Sequence, residues 1–96
     1  MSPNNKKKLN VIRVKLDKLD NKLLSLIKYR TSLVKEVLKL KEFKKEIVDQ
    51  KRINFILSKI KEKSKKHKID PKITNRIWKN MIWSYIDFER RNFKKK

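Results

Sequence analysis

The chain of 96 residues has no cysteine, no glycine, one histidine and two prolines. Without cysteine there is no disulfide framework, thiolate nucleophile or cysteine-ligated zinc. Without glycine there is no glycine-rich phosphate loop, and the tight turns that join antiparallel strands lose their usual residue. A single histidine cannot build a multi-histidine metal site. A serine–histidine–carboxylate triad would have to recruit His67 from a lysine-rich stretch that reads as a loop. Long apolar runs are absent too, because lysine interrupts each one within a few residues, so no membrane span is expected. The basic start, Met1 to Lys8, is not followed by a continuous apolar segment, which argues against a secretory signal and for a cytoplasmic protein.

What the chain does have is positive charge, a net +20, with 42% charged and 38% hydrophobic residues. One domain of this size folds only if its apolar residues are well patterned. A basic excess of this kind suits a nucleic-acid or anionic-membrane partner. It equally suits a compositional bias in which lysine fills exposed helix positions, and lysine outnumbers arginine 24 to 6. Lysine is spread along the whole chain rather than gathered on one face, which makes a basic helical nucleic-acid-binding dimer the weaker alternative. The reason for the excess stays open.

Leu9, Ile12, Leu16, Leu19, Leu23, Leu26, Leu33, Val37 and Leu40 follow alternating steps of three and four. The spacing predicts one helix from about residue 5 to about residue 44, with Ser2 or Asn4–Asn5 as caps. Such a rod is roughly 60 Å long, whereas a compact monomer of this length has a radius of gyration of about 12–13 Å. Two short helices cannot cover it, so geometry implies a dimer. A second helix is predicted from an Asp49 N-cap, with Val48 and Ile53 as a hydrophobic staple and Ile56, Leu57 and Ile60 continuing its apolar stripe. It is expected to fray into Lys61–Lys68, a solvated helix end and loop. Ile69-Asp70-Pro71 announces a third helix, with an N-cap Asp before an N1 Pro. Its apolar face runs through Ile73, Ile77, Trp78, Met81, Ile82, Tyr85, Ile86 and Phe93. The expected organisation is a basic tail at 1–8, one all-α domain at 9–93 and a short tail at 94–96.

Polar residues at apolar positions carry the chemistry. Arg30 fills the one slot of the leucine heptad that is not apolar, and a buried guanidinium needs an anion, either a carboxylate of the coiled coil or a ligand. Lys41, eleven residues on, is rotated by about 20° and displaced by about 16 Å on an ideal helix, so both can face one elongated cavity. Arg13 lies about 100° around the helix and about 25 Å away, and could reach that cavity only from an antiparallel partner. Arg52 falls in the first turn of the second helix, either solvent-exposed or holding an anion. Glu89 interrupts the stripe between Ile82 and Phe93. It is either salt-bridged to a lysine or a carboxyl that burial favours in its neutral form.

Arg13, the segment Leu19 to Ile27, Arg30, Leu33 to Val37 and Lys41 resemble the first helix of the all-helical (AroQ-type) chorismate mutases. Asp49 with Arg52, Ile69-Asp70-Pro71 and Ile77 to Ile82 ending in Glu89 resemble that family's second and third helices, over about residues 9 to 93 with a slightly shortened first loop. The resemblance implies an intertwined homodimer of three helices per chain, one long and two shorter, with two active sites. It implies a small dianionic substrate, no cofactor and no metal. By the same resemblance, Arg30 and Arg13 of the partner subunit would grip two substrate carboxylates, and Lys41 would reach the ether oxygen and a carboxylate. Arg52 would line the pocket, and Asp49 would contact the ring hydroxyl region or cap its helix. Glu89 would donate to the ether oxygen, which requires it to be protonated.

Two positions depart from the family pattern. Ile53 stands where many mutases carry a Glu that binds the ring hydroxyl, and Tyr85 is bulky where a small hydroxyl residue sometimes sits. An apolar residue after that arginine looks like the isochorismate-pyruvate lyases, which share the fold and release salicylate and pyruvate. Ile53 is also a natural packing residue in its stripe, and the mutase remains the favoured expectation.

Overall fold

Ser2 starts the first helix. Its hydroxyl accepts from the Asn5 N–H at 3.2 Å and its carbonyl from the Lys6 N–H at 2.9 Å. Pro3 then takes the first helical position, where a missing N–H leaves no bond unmade. The computed structural model describes residues 1–94. Among them are α1 (Pro3–Leu40), α2 (Gln50–Lys66) and α3 (Pro71–Asn92), with a one-turn 3₁₀ helix at Lys44–Glu46 and no strand. The all-α arrangement of one long and two shorter helices expected from the sequence is the one observed. None of these helices is long and apolar enough to cross a membrane. Lys6, Lys7 and Lys8 of the expected N-terminal tail are helical, and the expected C-terminal tail lies, beyond Lys94, outside the described residues.

The chain divides into two compact units, Met1–Leu33 and Val34–Lys96. The first is the leading part of α1. No residue of α1 is buried, and its heptad row is about half exposed, with Leu23 at 49%.

The second unit contains the last turns of α1 and both other helices. Ile47, Ile53, Ile82 and Ile86 form its buried core, with Leu38, Val48, Ile56, Leu57 and Phe93 packed against them. The Asp49 side chain accepts from the Arg52 N–H at 3.0 Å, and Val48 and Ile53 meet in the core as the staple anticipates. At α3, Asp70 accepts from the Lys72 N–H at 2.9 Å ahead of Pro71.

Two features differ from expectation, the end of α1 and the extent of α2. α1 stops at Leu40 rather than near residue 44, because the Glu46 carboxylate takes the N–H groups of Glu42 and Phe43 at 2.7 and 2.9 Å, drawing the chain into the 3₁₀ turn. α2 stays helical through most of the charged run, to Lys66, since lysine is a good helix former. A buried contact between Ser64 and Thr74 hydroxyls, 2.7 Å apart, fastens the end of α2 to α3. After His67 the chain turns at Lys68, whose φ of 58° is left-handed. The N–H groups of Lys68 and Ile69 bond back to Lys65 and Ser64 at 3.2 and 2.8 Å, a Schellman closure made with lysine where glycine is usual.

Candidate active site

Lys41 is the first residue beyond α1. Its N–H still reaches the Leu38 carbonyl at 3.2 Å, which tightens the last turn and leaves the side chain at the corner where the chain leaves the helix. Glu89 lies two turns beyond Ile82 and one beyond Ile86 on the α3 stripe, so the periodicity that buries the isoleucines buries the carboxyl as well, to 6% exposure. Lys41 Nζ donates to Glu89 Oε1 at 2.8 Å, with the lysine side chain 18% exposed. Of the two alternatives for Glu89 read from the sequence, the salt bridge to a lysine is present, and its partner is the other residue expected at the ether oxygen.

Beside this pair opens a groove of about 480 Å³, lined among others by Lys41, Glu46, Val48 and Asp49. Asp49 therefore shares a surface with Lys41 while its carboxylate also caps α2. Within the second unit, Lys41 thus joins Glu89 through the ion pair and Asp49 through the groove they both line.

The other expected residues lie elsewhere. Arg52 is exposed in the first turn of α2, its guanidinium 5.5 Å from the centre of the Phe55 ring. Ile53 is 6% exposed among Ile47, Ile82 and Ile86, which makes it a core residue. Tyr85 is half-buried on α3, one turn before Glu89. Arg13 and Arg30 belong to the first unit, Arg13 exposed and Arg30 half-buried on α1.

Sequence reasoning missed Glu46. Its carboxyl is held below the usual range, first by the hydrogen bond from the Phe43 N–H, then by that from Glu42, with Lys45 and Lys41 adding to the effect. The available signal was an acidic residue three positions after Phe43, the spacing of a capping box. It was obscured because phenylalanine is no ordinary N-cap.

Lys41 and Lys51 are the cations lining this groove, set against the carboxylates of Glu46 and Asp49. A lysine ammonium carries three N–H donors, and Glu89 takes one of them.

Residues 12–90 match the chorismate mutase type II family. The chorismate mutase of Methanocaldococcus jannaschii is 38% identical over 76 residues, which are 78% of this chain and 77% of that protein. No solved structure matches the chain.

Proposed function

The chain belongs to the chorismate mutase type II family, and on that premise we propose how its own residues carry the reaction. It is an isomerase that rearranges chorismate to prephenate, a step of aromatic amino-acid biosynthesis. An ether C–O bond breaks while a C–C bond forms within one dianion, so the protein contributes by positioning and by fixed charge.

Arg30 and Arg13 of the partner subunit clamp the two carboxylates, fork to oxygen pair, and so select the compact chair-like conformer. Lys41 points one of its remaining donors at the breaking ether oxygen and another at a carboxylate, stabilising charge as it develops. Glu89 is the second donor to that oxygen. Its Oε1 accepts from Lys41, and the donor role requires a proton on the carboxyl. Arg52 and Tyr85 border the substrate, and Asp49 faces its ring hydroxyl. The observation that carries this assignment is the Lys41–Glu89 pair beside a groove that Asp49 also lines. Ile53 packs in the core and also lines a groove with Asn54, Leu57 and Trp83, and in this reading it borders the substrate next to Arg52.

The working unit is a homodimer of the 9–93 domain. Each half-exposed seam residue of α1 has about 1 kcal/mol to gain on being covered. Nine of them give on the order of 10 kcal/mol gross, enough to offset association costs of similar size. A cytoplasmic location fits a biosynthetic enzyme of this family.

The test is to supply purified protein with chorismate and, separately, isochorismate, and to resolve the products by chromatography. Prephenate from chorismate is expected. Salicylate and pyruvate from isochorismate, with chorismate left untouched, would overturn the assignment.

A further inference from the structure

Lys41 has to hold its ammonium in place through a flexible four-carbon stem, and only its ends can be anchored. The far end rests on Glu89. Once the ammonium also serves a substrate, the backbone end must supply the order. That end lies just outside α1, where the regular helical ladder has stopped. The two N–H groups that follow, of Glu42 and Phe43, converge on one oxygen, Glu46 Oε2, at 2.7 and 2.9 Å. Both bonds are charge-assisted, which makes them the strong kind.

From this geometry we propose that Glu46 is a positioning residue for the reaction: its carboxylate locks the corner at Lys41–Phe43 and so aims the Lys41 ammonium at Glu89 and the groove. The inference rests on the assignment of Lys41 to the ether oxygen. Glu46 is exposed and outside the core, so its side chain contributes little packing that its removal could destroy. Its own turn also supplies Lys44 and Lys45, Lys41 and Glu42 precede it, and Asp49, the N-cap of α2, lines the same groove with Lys51. The turn's charges are thus mostly positive, and they favour the carboxylate that holds the corner. A displacement of an ångström at a positioned donor can cost up to about a hundredfold in rate, and an exposed corner held by two bonds should show a part of that.

The experiment compares kcat and KM of the full chain with those of Glu46→Ala, Glu46→Asp, Glu46→Gln and Lys41→Ala, with thermal midpoints measured in parallel. Ala removes the acceptor. Asp keeps the charge but withdraws the oxygen by one methylene. Gln keeps an oxygen at the original reach. Ala and Asp are expected to lower kcat about tenfold while KM changes less than about threefold, and Gln to recover most of the loss. Wild-type kcat in Glu46→Asp, or a Gln variant as slow as Ala, overturns the inference while a slow Lys41→Ala leaves the site assignment standing. A Lys41→Ala variant at the wild-type rate would sink that assignment, and this inference with it.

Discussion

Lys41 and Glu89, 48 residues apart in the chain, meet at 2.8 Å with Glu89 almost wholly removed from water. A carboxylate buried on an isoleucine stripe is tolerable because the ammonium answers it, and the ammonium is held at the groove because the carboxylate is there. Each residue thus accounts for the burial of the other.

The two partners can be altered in turn. Lys41→Met leaves Glu89 buried without its cation, and stability should fall by about 3 kcal/mol, the lower end for a broken buried pair because the lysine keeps some solvent contact. Glu89→Gln instead puts a permanent donor at the same place. It should keep a substantial part of the wild-type kcat, whereas Glu89→Ala, which offers no donor, should lose nearly all of it. A Gln variant as slow as Ala would contradict the donor role.

Lys68 bears the strain of a chain without glycine. A left-handed φ of 58° costs a residue with a Cβ about 1 kcal/mol or somewhat more. Lys68→Gly should raise stability by about that amount, since the hydrogen bonds that close α2 are made by backbone alone. Chemical denaturation of the two proteins at equal concentration checks it, and a Gly variant that is less stable would mean that the lysine side chain supports the turn.

Glu46 links stability to acid. Its carboxyl sits below the ordinary value of 4.5, chiefly because the Phe43 N–H and then the Glu42 N–H bond to the charged form. The folded chain thus releases this proton more readily than the unfolded one. The stabilisation is complete above the ordinary value and is lost as pH falls through the lowered one. The difference in thermal midpoint between the wild type and Glu46→Gln should be constant at higher pH and shrink below about pH 4.5. A difference that grows on acidification would contradict the sign.

Much of this was legible in the sequence because the signals are local. Asp49 and Asp70 cap the helices they precede, and a carboxyl seven residues after Ile82 on a helical stripe had to be buried with it. The end of α1 was not legible. It depends on Glu46 reaching back to two amides from a turn whose N-cap is phenylalanine, which no cap preference announces. The extent of α2 was hidden because a lysine run reads as solvent-facing whether helical or not, and the Ser64–Thr74 contact that secures it joins two helices. Ile53 was ambiguous for a different reason: an apolar residue beside an arginine suits a pocket wall and a core equally, and in the fold it belongs to both.

A hybrid of two crippled chains tests most directly whether the cage is completed across a dimer. Arg13→Ala and Arg30→Ala are each expected to lose nearly all activity on chorismate. Unfolded together in equal amounts and refolded, half of the dimers are hybrids, and each hybrid keeps one site with Arg30 from one chain and Arg13 from the other. Activity should return to about a quarter of the wild-type level. A mixture no more active than its two components would show that the two arginines do not act on one substrate from different subunits.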